Sequence, residues 1–72
     1  MASITVTVGM PQGDRTMAFT SERNAAVAVE VILRKIPVTA LPTPIWIRCD
    51  DREVAYRLAD YLSEVQAELV RG

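Results

Sequence analysis

The stretch DDREVAYRLADYLSEVQAELVR (50–71) decides the fold, because it carries the clearest helical period in the chain. Its apolar residues recur every three or four positions and form one stripe of a helix, while charged residues occupy the opposite face. An aspartate at its start predicts the N-cap, and with Asp50 as the cap, Glu53 would complete a capping box. Asp51 is the alternative cap. The apolar stripe consists of Val54, Leu58, Leu62, Val65 and Leu69, widened by Ala55, Ala59 and Tyr61.

A second amphipathic helix is predicted upstream, over residues 22–36. Thr20 and Ser21 precede it and are good N-caps. Its valines favour a strand over residues 27–33 as the competing interpretation. We prefer the helix because alanine is abundant and the polar residues segregate to one side. Pro37 lacks the amide that a further turn needs, so the helix ends there and a stiff, extended connector follows over residues 37–44.

Three strands are predicted from residues that alternate between apolar and polar, over 3–10, 15–19 and 45–49. A turn over residues 9–14, which contains Pro11 and Gly13, joins the first two strands into a hairpin. In the third strand, Ile45, Ile47 and Cys49 share one face.

The order of the elements predicts the architecture. A ββαβα chain of 72 residues is one small α/β domain over residues 1–72, folded as an α+β two-layer sandwich. A three-stranded sheet carries both helices on one face. A right-handed crossover between the second and third strands allows strand order 2-1-3, and order 1-2-3 is the alternative.

The composition argues against several classes of function. The chain has one cysteine and no histidine, so it forms no internal disulfide and lacks the usual ligands of a zinc site. Its three glycines form neither a P-loop nor a dinucleotide fingerprint. We therefore expect a protein without enzymatic activity, cofactor or metal.

The localisation follows from what the sequence lacks. Residues 1–9 have neither the cationic start nor the continuous apolar run of a signal peptide. No stretch approaches the roughly 20 apolar residues of a membrane span. A lone cysteine also fits a reducing compartment. We expect a cytoplasmic protein that does not contact membranes.

Two features with chemical potential are better explained by structure. Asp50, Asp51 and Glu53 form an acidic cluster that a divalent cation could bind, but helix capping accounts for these residue types at these positions. Cys49 could be a reactive thiol before a helix, but its alternation with Ile45 and Ile47 points it into the core.

The most informative candidates lie on the sheet face that turns away from the helices. Trp46 and Arg48 are expected there among threonines, with Arg15 at the edge. Tryptophan and arginine are enriched in protein interfaces. They could also stack the bases of a single-stranded nucleic acid, although a net charge of −1 disfavours that interpretation. A third interpretation is that Trp46 covers the proline connector.

The first helix carries a second candidate surface. Val27 and Val31 lie one helical turn apart and away from the main apolar face. They could contact a second subunit, lie singly at the surface, or be covered by the other helix. Tyr56 is a further candidate contact residue.

Together these observations predict a small module that binds a protein partner and forms a homodimer. Oligomerisation would help to stabilise so small a core. Small size and missing catalytic motifs suggest a regulator that presents a surface to a larger target, such as an inhibitor or adaptor of phage or plasmid type. A single-stranded nucleic-acid-binding domain that uses Arg15, Trp46 and Arg48 is the alternative.

Overall fold

The secondary structure follows the predicted ββαβα order. The computed structural model describes residues 3–72. Met1 and Ala2 lie outside the described residues; they are the first two residues of the segment 1–9, which was compared with a signal peptide above. No helix within residues 3–72 combines the length and apolar character needed to cross a membrane. The elements are β1 (Ile4–Met10), β2 (Gly13–Phe19), α1 (Glu22–Lys35), a 3-10 turn (Val38–Ala40), β3 (Ile45–Cys49) and α2 (Arg52–Arg71).

The hairpin between β1 and β2 is tighter than the turn predicted over residues 9–14. Met10 pairs directly with Gly13, so only Pro11 and Gln12 remain in the loop. Gly13 has a φ of 131°, a conformation that side-chain-bearing residues rarely adopt. The glycine thus lets the chain reverse in two residues. The second strand begins at Gly13, two residues before its predicted start, while the first strand ends at Met10 as predicted.

The sheet has the order β2-β1-β3, which confirms the first of the two predicted strand orders. β1 is the central strand, and both of its neighbours run antiparallel to it. Thr7 lies between Thr16 of β2 and Trp46 of β3. This register decides which side chains share a face, because successive residues of a strand point to opposite sides.

The core lies between one face of the sheet and the two helices. α1 packs on β1 and β2, and α2 packs on β3 and against α1. Burying each large apolar side chain contributes about 1.5–3 kcal/mol. The predicted stripe of α2 is confirmed from Val54 to Val65, whereas Ala59 and Tyr61 at its margins are exposed. The largest fully buried side chains are Ile4, Val6, Val8, Val29, Leu33, Leu58 and Leu62.

Both helices begin at a side-chain cap. Ser21 Oγ accepts a hydrogen bond from the Asn24 amide at 3.3 Å. Asp51 Oδ1 accepts from the amides of Glu53 and Val54 at 3.0 and 3.3 Å, so Asp51 is the N-cap of α2. The predicted capping box with Asp50 as the cap is therefore wrong.

The connector between α1 and β3 is not extended throughout, as predicted, but contains a 3-10 turn. The amides of Ala40 and Leu41 donate to the carbonyls of Pro37 and Val38 at 2.8 and 3.1 Å. Pro37 fits the start of this turn because its missing amide is not needed there. α1 itself ends at Lys35, one residue before the predicted end.

A buried polar clasp fixes the end of the connector to α2 and β1. The Thr43 amide donates to Gln66 Oε1 at 2.6 Å, and Gln66 Nε2 donates to the Thr43 carbonyl at 3.2 Å. The Thr43 hydroxyl donates to the carbonyl of Gly9, whose amide donates to the Pro44 carbonyl at 2.9 Å. The clasp sets where β3 begins and so aligns Trp46 with Thr7.

Candidate binding surface on the open sheet face

One face of the sheet carries no helix. The register and the strand alternation place seven side chains on it. We call this surface the open sheet face; its residues are Thr5, Thr7, Asp14 at the hairpin end, Thr16, Ala18, Trp46 and Arg48. Within residues 3–72, no other helix or strand packs over it. The predicted juxtaposition of Trp46 and Arg48 with threonines is therefore present.

Trp46 dominates the open sheet face. This residue is 54% exposed. A shallow depression of about 420 Å³ lies beside it and is also lined by Thr5, Thr7, Thr16 and Arg48. About half of the Trp46 surface stays exposed, so this residue remains available to a partner.

The threonines give the surface a flat, polar floor. Thr7 and Thr16 lie opposite each other on β1 and β2, and their hydroxyl oxygens are 3.0 Å apart, within hydrogen-bonding distance. Short side chains on the two neighbouring strands leave the indole of Trp46 standing above them. The surface therefore offers one aromatic anchor beside hydroxyl groups that both donate and accept hydrogen bonds.

Arg48 adds one positive charge to the open sheet face. It lies two residues from Trp46 on β3 and is exposed. Among residues 3–72, the salt bridges involve the guanidinium groups of Arg34 and Arg57 only. The Arg48 guanidinium is therefore available for a carboxylate or phosphate of a partner.

Arg15 does not extend this patch. It pairs with Val8 on β1, so the alternation places it on the helix side of the sheet, opposite to Trp46 and Arg48. The expectation that Arg15 contributes to the same surface is therefore wrong. Arg48 is the arginine that lies on the open sheet face.

The candidate residues of the helix layer lie on the other side of the molecule. Val27 and Val31 are 56% and 46% exposed, so α2 does not cover them. Tyr56 is still more exposed, at 65%. The structure thus presents two separate surfaces, the open sheet face and the outer side of the helices.

Polar side chains bridge the two helices. Arg57 Nε and Nη2 donate to the two carboxylate oxygens of Glu22 at 3.1 and 3.0 Å. Tyr61 donates to Glu30, which also pairs with Arg34 at 2.8 Å. These bonds lower the pKa of both glutamates, that of Glu22 chiefly through Arg57 and that of Glu30 chiefly through Tyr61.

A groove between the helices adjoins these bridges. It is lined in part by Ser21, Arg23, Ala26 and Leu58, with a volume of about 680 Å³. Two of the charged residues that line the groove, Arg57 and Glu22, already form a salt bridge with each other. The groove is therefore explained by the packing of α1 against α2.

The two aspartates of the acidic cluster accept hydrogen bonds from backbone amides, and Glu53 lies 3.8 Å from Arg57. Asp51 caps α2, and Asp50 Oδ1 accepts from the Ser3 amide at 3.3 Å. Cys49 lies half-buried on the core side, and its sulfur accepts from the Asp51 amide at 3.4 Å. Within residues 3–72, no three side chains of the types that bind metals converge on one point.

Gln66 and Thr43 are the residues that reasoning from the sequence missed. Both are buried, and their hydrogen bonds place β3 and hence Trp46. A signal was present, because Gln66 lies four residues after Leu62 and directly after Val65, on the flank of the apolar stripe. A glutamine at such a position needs a buried partner.

No protein-family model matches the chain, and comparisons with curated proteins and with solved structures find no match either.

Proposed function

We propose that this protein is a binding module that docks a polypeptide partner on its open sheet face, with Trp46 as the anchor. The observation that carries the proposal is the half-exposed indole beside a depression floored by threonines. A few residues supply most of the free energy of protein interfaces, and tryptophan and arginine are enriched among them. Trp46 and Arg48 would have that role here.

The partner that fits this surface is a protein segment with an apolar side chain and an acidic group. The apolar side chain would fill the depression beside Trp46, and the carboxylate would pair with Arg48. Hydroxyl groups of Thr5 and Thr7 would satisfy polar groups between these two contacts. Such a module acts by covering part of a larger cytoplasmic target, in the manner of an inhibitor or adaptor.

Binding of single-stranded nucleic acid is the weaker candidate. One tryptophan and one arginine make a small stacking platform, and Arg15 lies on the opposite side of the sheet. The net charge of −1 gives the chain no overall attraction to phosphates. Fluorescence anisotropy with labelled single-stranded RNA and DNA at low salt tests this candidate. Tight binding that weakens steeply as salt rises would favour nucleic acid over a protein partner.

The proposal is tested by capturing partners from an extract of the source cells and measuring the affinity of the purified partner by calorimetry. Trp46→Ala is expected to weaken binding by roughly 2 kcal/mol or more, which is about thirtyfold. Tyr56→Ala is the matched control, because it removes a more exposed aromatic side chain from the helix layer. Equal affinities of wild type and Trp46→Ala would refute the proposal.

A further inference from the structure

β2 is an outer strand of the sheet, so the backbone groups along one of its edges have no partner strand among the described residues 3–72. The Gly9 amide donates to Pro44 beyond the β3 side of β1, so Gly9 directs its backbone groups away from β2. Its partner Asp14 belongs to the same non-hydrogen-bonded pair and directs its own groups away from β1. Because these pairs alternate along an antiparallel ladder, Thr16 and Ala18 do the same. The edge thus offers the amides and carbonyls of Asp14, Thr16 and Ala18.

This edge has few of the features that prevent strands from joining. β2 contains no proline and no lysine, and its register with β1 runs from Gly13 to Phe19 without a bulge. A charged side chain that points into the core would also protect an edge, and Arg15 does point to the helix side of the sheet. It is exposed near the loop, however, so it does not have that effect. An uninterrupted edge of seven residues is a template for another extended strand.

We propose that this strand is β2 of a second copy of the chain. The two strands would run antiparallel across a twofold axis at Thr16, the central residue of β2. Asp14 would pair with Ala18 of the other copy, and Thr16 with its own counterpart, which gives about six hydrogen bonds between the backbones. The two sheets of three strands would become one, in the order β3-β1-β2-β2-β1-β3.

Charge and length select this register. An axis at Asp14 or Arg15 would place two like charges opposite each other, which destabilises a strand pair. An axis at Thr16 avoids both pairs and engages the whole strand. It also places the Thr16 side chains of the two copies next to each other on the open sheet face.

The helix layer fits the same assembly. α1 packs on β1 and β2, so its axis lies about one strand spacing from the proposed twofold axis. The two copies of α1 would then lie about 10 Å apart, which is the distance at which helices pack. Glu22 and Glu30 mark the side of α1 that faces α2. Ala28 and the exposed Val31 lie toward the other side, where the second α1 would cover them.

Charge substitutions at the axis test the proposal. Sedimentation velocity across concentration should show reversible dimerisation of the wild type. Thr16→Glu and Thr16→Lys place like charges opposite each other, so each variant alone should dimerise up to about fivefold more weakly. An equimolar mixture of the two should regain dimers, because the opposite charges then meet at the axis.

Thr7→Glu and Thr7→Lys are the matched controls. Thr7 lies beside Thr16 on the open sheet face but on the central strand, so these variants should dimerise like the wild type. If they weaken dimerisation as strongly as the Thr16 variants, the copies stack through their open faces and the proposal is wrong. A wild type that stays monomeric at the concentrations used for NMR, or a mixture that fails to recover dimers, also overturns it.

Amide hydrogen exchange supplies a second readout that does not depend on substitutions. Raising the protein concentration should slow exchange at Asp14, Thr16 and Ala18 and leave the exposed loop amide of Gln12 unchanged. Exchange at the three β2 amides that is independent of concentration would show that this edge stays free. These experiments need no partner protein, so their outcome is independent of the function proposed for Trp46.

Discussion

Replacing Gln66 with leucine should destabilise the protein, because this side chain satisfies both backbone groups of the buried Thr43. Leucine has a similar volume but makes neither hydrogen bond, so the Thr43 amide and carbonyl lose their partners at 2.6 and 3.2 Å. Each buried polar group left without a partner costs about 1–3 kcal/mol. The additional apolar surface of leucine offsets up to about 2 kcal/mol. The net loss should be about 2 kcal/mol.

Chemical denaturation followed by circular dichroism measures this loss. In a chain of this size, 2 kcal/mol corresponds to a decrease of roughly 10 °C in Tm. Ser63→Ala on the same helix is the control, since Ser63 is exposed and its substitution should change the stability by less than about 0.5 kcal/mol. If Gln66→Leu unfolds at the same denaturant concentration as the wild type, the clasp does not hold the connector and this reasoning is refuted.

Two further predictions concern the helices. Asp51→Ala should lower the free energy of unfolding by about 1 kcal/mol, because it removes the acceptor of two amides at the start of α2. Asp50→Ala is the control and should have a smaller effect. Equal effects of the two substitutions in thermal unfolding would contradict the assignment of Asp51 as the cap. Glu22 and Glu30 have a pKa below the ordinary 4.5, so the stability that their ionised forms contribute is complete above that pH and declines as the pH falls through the lowered values. A Glu22→Gln/Glu30→Gln double variant should show a weaker loss of stability with acid in urea titrations at successive pH values, and an unchanged pH profile would contradict the proposed ion pairs.

Periodicity made most of the fold predictable. The alternation of Ile4, Val6 and Val8 predicts a half-buried strand, and the apolar stripe from Val54 to Val65 predicts a helix with one buried face. Both signals arise directly from which side of an element meets the core. Two strand orders remain compatible with the sequence, because local patterns do not specify which strands pair.

The errors arise where local geometry overrides composition. Three prolines between residues 37 and 44 predicted an extended connector, yet Pro37 begins a 3-10 turn that uses only the amides of later residues. The glycine at position 13 shortened the hairpin loop, because its positive φ closes the turn. Asp50 and Asp51 are equivalent in sequence, and only the path of the chain after β3 decides which one caps α2.

The candidate site was partly predictable. The alternation in β3 places Trp46 and Arg48 on one side of the strand without any knowledge of the sheet. The same alternation in β2 places Arg15 with Met17 and Phe19, opposite to Thr16, so the expectation that Arg15 joins Trp46 disagrees with a period that the sequence already shows. Gln66 carries only a weak signal in the sequence, because the sequence does not show that the backbone of Thr43 faces this flank of the apolar stripe.

The most direct test of the proposed binding surface uses the tryptophan itself. The chain contains one tryptophan, so incorporation of fluorotryptophan labels position 46 alone. Fluorine NMR of the labelled protein should show a large change in the Trp46 resonance, and lower accessibility to a soluble paramagnetic reagent, when the captured partner is added. A partner that binds at saturating concentration and leaves both the resonance and its accessibility unchanged would contradict the assignment of the open sheet face as the binding surface.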